Sequence, residues 1–168
     1  MDQSSDKREK RWYSLRMREL HIIAHDIRSR ENVGTLLRTA DSLGVSKLWF
    51  TGYTPIPPDE KIQKVALGAE QSVVWEQVVD VLLVLEHLKK QRIPVFALEV
   101  TPEAIDVRGF KPPERLALLL GTETTGVPAS LLEACNGVVK ITQRGIKESL
   151  NVAVAAAIAS WAILDDGK

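Results

Sequence analysis

Apolar residues along this chain fall into short unbroken runs that alternate with longer stretches of helical spacing. Residues 21–24 form the first run and predict a short strand, followed by a polar segment over residues 26–32. Leu36, Leu37, Ala40 and Leu43 then recur at helical spacing, predicting a helix over residues 33–43 that Gly44 stops. Residues 47–51 resume as a strand, and Pro55, Pro57 and Pro58 mark residues 52–59 as a loop. Val81, Leu82, Val84, Leu85 and Leu88 predict a helix over residues 79–91, and residues 94–100 read as a strand. Residues 116–120 are apolar throughout and end at Gly121, the pattern of a strand covered on both faces in a parallel sheet. Residues 138–141 predict one more strand. Strands alternating with helices imply an α/β fold, with a mostly parallel sheet and helices on both faces.

The last predicted helix, residues 149–164, departs from the amphipathic pattern. Leu150, Val152, Val154, Ile158, Trp161 and Ile163, with a run of alanines between them, leave almost no polar face. A helix that is apolar all round has to be covered on every side, and a domain of 168 residues has little material to do this alone. The expectation is a homodimer packed through the C-terminal helix; the alternative is a helix wholly internal to a monomer.

Composition narrows the setting. With 45% hydrophobic and 26% charged residues, the chain reads as one globular domain, and Cys135 has no second cysteine with which to pair. With neither a secretory leader nor a membrane span legible, a soluble cytoplasmic protein is expected. The formal net charge of zero conceals one asymmetry. Lys7, Arg8, Lys10, Arg11, Arg16 and Arg18 face the single acid Glu9, with Trp12 and Tyr13 interleaved. Residues 1–20 therefore form a basic N-terminal extension ahead of the domain at 21–168. Cations beside aromatics suit phosphates and unpaired bases of RNA, while a solvated tail accounts for the same composition.

Residues 121–126, Gly-Thr-Glu-Thr-Thr-Gly, have the glycine spacing of a phosphate loop after a buried strand. Val127 and Pro128 stand where such a loop needs Lys and Ser or Thr, and Glu123 would repel a phosphate. A dinucleotide fingerprint is absent as well. An acid-bearing glycine loop at the end of a central strand suits a cationic ligand better. His21, His25 and His87 fall in separate elements with no metal-ligand spacing, so no metal is expected; His25 is the one near a strand end, and a structural role is its simpler explanation.

Three segments together carry a family likeness. Asn32-Val33-Gly34 with Arg38-Thr39-Ala40 and Gly44 resembles the first SpoU motif, and Leu119-Leu120-Gly121-Thr122-Glu123 with Gly126 resembles the second. Ile141, Gly145 and Ser149-Leu150-Asn151-Val152-Ala153-Val154-Ala155 resemble the third. Order and spacing agree from about His21 to Leu164, and on these residues the chain resembles the SpoU/TrmH branch of the SPOUT methyltransferases. The resemblance implies a C-terminal trefoil knot that forms the methyl-donor pocket, and an obligate dimer packed largely through the last helix. It also implies the use of S-adenosyl-L-methionine to methylate a ribose 2'-hydroxyl in RNA, with tRNA preferred and rRNA second.

By the same resemblance, Arg38 activates or orients the hydroxyl, Asn32 positions Arg38 and the ribose, and Glu123 holds the donor loop or a partner-chain group. Ser149 and Asn151 approach the ribose or donor, and Leu98, Gly121, Ile141 and Leu150 line the donor. Asn32 and Ser149 are each also plausible helix N-caps. Thr142 and Gln143 stand where the pattern usually has Pro and Met, a change in the pocket wall. That change, with the aromatic and basic tail, leaves a catalytically weak RNA-binding dimer as the competing reading. Which RNA and which nucleotide are not legible in the sequence.

Overall fold

The computed structural model describes residues 18–147 and 149–165, so the basic tail up to residue 17 lies outside the described residues. Seven strands form one sheet: β1 Glu19–His25, β2 Lys47–Thr51, β3 Trp75–Gln77, β4 Val95–Leu98, β5 Ile105–Asp106, β6 Arg115–Leu120 and β7 Gly137–Lys140. Their order is β3-β2-β1-β6-β4-β7-β5, and every neighbouring pair is parallel. The helices are α1 Arg30–Leu43, α2 Glu60–Ala66, α3 Ala69–Ser72, α4 Val81–Lys90, α5 Ala129–Ala134 and α6 Val152–Leu164.

Strand alternation divides the core in two. Leu20, Ile22, Ala24, Leu48, Phe50, Leu116, Leu118 and Leu120 face one side and pack with Leu36 and Leu37 of α1, Ile62 of α2 and Ala156 and Ile163 of α6. Ile23, Trp49, Ala117, Leu119, Val95 and Ala97 face the other side, where Val84 and Leu88 of α4 and Leu131 of α5 cover them. The sheet is thus sandwiched by helices, and β6, between β1 and β4, is buried on both faces as its unbroken apolar run implied.

Glycines of the motifs act by closeness of approach. A Cβ on Gly34 would sit 2.7 Å from Val65 Cβ and 2.8 Å from the Ile62 carbonyl oxygen, so a side chain there would push α2 off α1. Gly44 ends α1 in the left-handed region at φ 70°.

Helix starts differ from the sequence reading in a consistent way. α1 begins at Arg30, and its cap is Ser29, whose Oγ accepts from the Asn32 amide; Asn32 is not the cap. α6 begins at Val152 with Asn151 as its cap, so Ser149 is not the cap of that helix. Both starts were misplaced because capping is decided by backbone direction at the turn, and several neighbouring polar residues carry a suitable oxygen. α2, α3, α5, β3 and β5 escaped the sequence reading altogether. They span 7, 4, 6, 3 and 2 residues, too short to display a period.

The final helix has two different sides. Ala153, Ala156, Ala159, Ser160 and Ile163 are buried against the sheet and α1, whereas Val154, Ile158 and Trp161 are 46, 40 and 60% exposed. Within one chain the helix is covered on one side only. Among the described residues, no helix is long and apolar enough to cross a membrane.

Candidate functional site at the carboxyl ends of the strands

The carboxyl ends of β4, β6 and β7, with the start of α6, enclose a cavity of about 1120 Å³. Open parallel sheets bind ligands at this edge, where strand ends and helix starts leave backbone groups unpaired. Leu98, Gly121, Ile141 and Leu150, the four expected donor-binding positions, all line it, and so do Glu123, Ser149 and Asn151. The structure adds Glu99, Lys140 and Lys147 to the polar lining.

Gly121 has no latitude. A Cβ there would lie 2.2 Å from the Gly126 backbone, across the loop that the Thr122–Gly126 backbone pair closes. Gly126, at φ 66°, lies against Glu99, whose Oε2 accepts from the Val127 amide at 3.0 Å. Glu99 thus ties the end of β4 to the loop after β6. Its position just past a strand end was the only sequence cue to it.

One chain of hydrogen bonds joins the three motifs, and its polarity is forced. Asn151 Oδ1 accepts from the amides of Ala153 and Val154 at the start of α6, at 2.9 and 3.2 Å. Its Nδ2 is therefore the donor to Asn32 Oδ1 at 3.0 Å, which leaves Asn32 Nδ2 to donate to Glu123 Oε1 at 3.0 Å. Glu123 also accepts from the amides of Arg28 and Ser29, at 3.0–3.2 Å. Burial pushes the Glu123 carboxyl up, but the Ser29 and Arg28 amides and the Asn32 side chain outweigh it and hold the group below its ordinary value of 4.5. A carboxylate so fully occupied by donors fixes the junction and has little capacity left to move a proton. Asn32, only 8% exposed, is the centre of this network.

Arg38 stands apart. It is exposed on α1 with no hydrogen-bond partner among the described residues, and it lines a separate hollow of about 590 Å³ with Thr35, Thr39, Ser42, Ile158 and Trp161. The structure therefore brings Asn32, Glu123, Ser149, Asn151 and the four positions expected to bind the donor together, and places Arg38 on the neighbouring face beside the uncovered side of α6. His25 is held by Thr51 Oγ1, 2.9 Å from its Nδ1, at the far side of the β1–α1 turn. Among the described residues, no three His, Cys, Asp or Glu side chains gather closely enough to hold a metal.

A seven-stranded parallel sheet with a cavity at its carboxyl edge, beside a hydrogen-bonded junction of the three motifs, defines an α/β protein with a candidate ligand site at its strand ends. Residues 19–161 match the model of the SpoU rRNA Methylase family, and the chain belongs to that family. It is 33% identical over 147 residues to the mouse (Mus musculus) tRNA (guanosine(18)-2'-O)-methyltransferase TARBP1, covering 84% of this chain and 9% of that protein. It is 31% identical over 140 residues to the 23S rRNA (guanosine-2'-O-)-methyltransferase RlmB of Vibrio vulnificus, covering 83% of this chain and 56% of that one. The SpoU methyltransferase AviRb from Streptomyces viridochromogenes, solved in complex with the cofactor AdoMet, superposes with a TM-score of 0.82 at 25% identity, over 90% of this chain and 61% of that one. The chain thus spans little more than half, or far less, of the length of these curated relatives.

Proposed function

We propose that the chain is an RNA ribose 2'-O-methyltransferase that uses S-adenosyl-L-methionine, with tRNA as the preferred substrate and rRNA as the second. The observation that carries this is the Glu123–Asn32–Asn151 junction, which locks all three family motifs around one cavity. The lining suits the donor: Glu99 and Glu123 offer negative charge to a sulfonium and an amino group, and Lys140 and Lys147 offer positive charge to its carboxylate. Apolar Leu98, Leu120 and Leu150 accompany the strand-end backbone that can read an adenine. When bound, the donor supplies a methyl group already activated on sulfur.

The chain's own residues then have to position and desolvate a weakly acidic alcohol. Gly121 and Leu98 present strand-end backbone to the donor, and Ser149 and Asn151 border the mouth towards the acceptor ribose. Arg38, whose donors meet no acceptor among the described residues, takes the phosphate next to that ribose in a forked pair and orients the 2'-hydroxyl. Because Arg38 shares its hollow with Ile158 and Trp161, the acceptor side is completed by a second copy docked on α6, in a homodimer. The bare apolar stripe of α6 supports that assembly. The C-terminal part is further inferred to be threaded as a trefoil knot: β7 enters between β4 and β5, two strands laid down earlier in the chain, and α6 then packs on the α1 side of the sheet. A reducing cytoplasmic setting fits the single free Cys135.

Titration calorimetry with S-adenosylmethionine and S-adenosylhomocysteine, followed by transfer of labelled methyl to bulk RNA, tests this reading. Donor binding with transfer that fails in Arg38→Ala is the expected result. A folded protein that binds RNA and no donor overturns it in favour of a pure RNA-binding dimer.

A further inference from the structure

The wall of the cavity after β7 leaves the sheet at residue 141 and runs on without ladder hydrogen bonds. Residues 141–143 and 145 line the cavity, so something other than the sheet has to set their path. The ties present are local: Gln143 Nε2 donates to the Ile141 carbonyl at 3.0 Å, and Thr142 turns to the edge strand β5. There Asp106 Oδ2 accepts the Thr142 amide at 3.2 Å and the Thr142 hydroxyl as well.

Asp106 is itself well placed to hold that wall. It pairs with Lys140 in the β5–β7 ladder, and the Val107 amide donates to the Lys140 carbonyl at 2.8 Å. Its carbonyl accepts from Gly109 and Phe110, closing a turn that is anchored by buried Val107 and by Phe110 packed on Phe96, ring centres 4.8 Å apart. Oδ1 accepts the Arg108 amide and Nε at 3.0 and 2.8 Å, which fixes the carboxylate with Oδ2 towards Thr142. A proline at position 142 would set φ with its ring and have no N–H to give; Thr142 has both an N–H and a hydroxyl, and one carboxylate takes both.

We propose that Asp106 is a positioning residue of the donor pocket: acting through Thr142, it fixes residues 141–143 in the shape that donor binding requires. This rests on the reading of the cavity as the methyl-donor site. Hydrogen bonding by Arg108 and Thr142 holds the Asp106 carboxyl well below the ordinary carboxylate range, so the tie persists to strongly acid pH.

The test combines donor calorimetry with amide hydrogen exchange on the donor-free protein, using Asp106→Ala, Thr142→Val and the double variant. Asp106 is on an edge strand and partly exposed, so melting temperatures serve as the folding control. Asp106→Ala is expected to weaken S-adenosylmethionine binding roughly tenfold, and to raise the donor KM with kcat little changed. Exchange should quicken over residues 141–147 and at the Arg108 amide, which loses its acceptor, and nowhere else. Thr142→Val keeps the N–H and loses the hydroxyl, so it gives a smaller loss and adds nothing to Asp106→Ala. Unchanged exchange in Asp106→Ala, wild-type affinity in that variant, or additive losses in the double variant overturn the proposal. If the wild-type protein binds no donor, the reading of the cavity fails, and exchange alone decides whether Asp106 orders this segment.

Discussion

Helices α1 and α6 meet in two regions that are finished to different degrees. At their N-terminal ends, Asn32, Asn151 and Glu123 bond one another, Glu123 takes the amides of Arg28 and Ser29 just ahead of α1, and Asn151 takes those of Ala153 and Val154 in α6, all within one chain. Farther along the same helices, Arg38 has no partner among the described residues, and Ile158 and Trp161 stand uncovered around a hollow. Polar groups that close on themselves make a rigid frame for a cavity. A cation and an apolar stripe left open are a surface for something outside the chain. In the proposed reaction and dimer, one copy builds the donor side, and RNA and the second copy complete the acceptor side.

The comparison is broken most severely at Arg38. Arg38→Ala should lower methyl transfer by about 10²-fold or more while leaving donor affinity within error, because the open region is altered and the closed one is untouched. Transfer assays beside calorimetry check this, and parallel loss of donor binding would place Arg38 in the closed region.

Trp161→Glu should come next. A carboxylate in the middle of the bare stripe should shift the protein from dimer to monomer in sedimentation, with the fold retained in circular dichroism. A wild-type protein that sediments as a monomer at every concentration would show that α6 serves another partner.

Asn32→Ala attacks the closed region instead. It removes one hydrogen-bond partner from Glu123 and one from Asn151, both of which water can reach, and should cost about 1 kcal/mol per lost bond in urea denaturation. Donor binding should fall with it, because the cavity loses the tie between its motifs.

The smallest effect is that of pH. Glu123 is held below its ordinary value of 4.5, so the folded state favours its ionised form; its contribution is present above that value and is lost as pH falls below it. Glu19 behaves likewise: the Arg115 hydrogen bond leads the causes that lower it to about 2, so its contribution is lost between pH 4.5 and about 2. Stability measured against pH should decline over that range, and Glu123→Gln should flatten the upper part of the decline.

What the chain declares in its sequence follows from local rules. The unbroken apolar run at 116–120 announced a buried parallel strand, because a strand covered on both faces has no polar position to show. Gly44 announced the end of α1, because few other residues take a left-handed φ without strain. The composition of residues 149–164 announced a helix wanting cover on all sides, although only the structure showed which stripe the chain leaves bare.

The tertiary structure alone decided how distant polar groups meet. Nothing local says that Asn151 reaches Asn32 across 119 positions, that Glu123 receives the amides of Arg28 and Ser29, or that Asp106 takes both donors of Thr142. Each contact depends on strand order, which places β6 beside β1 and β7 beside β5, and strand order is a property of the whole chain's packing. Periodicity records what a residue turns towards the core; a hydrogen bond between remote elements depends on where the backbone has carried each of them.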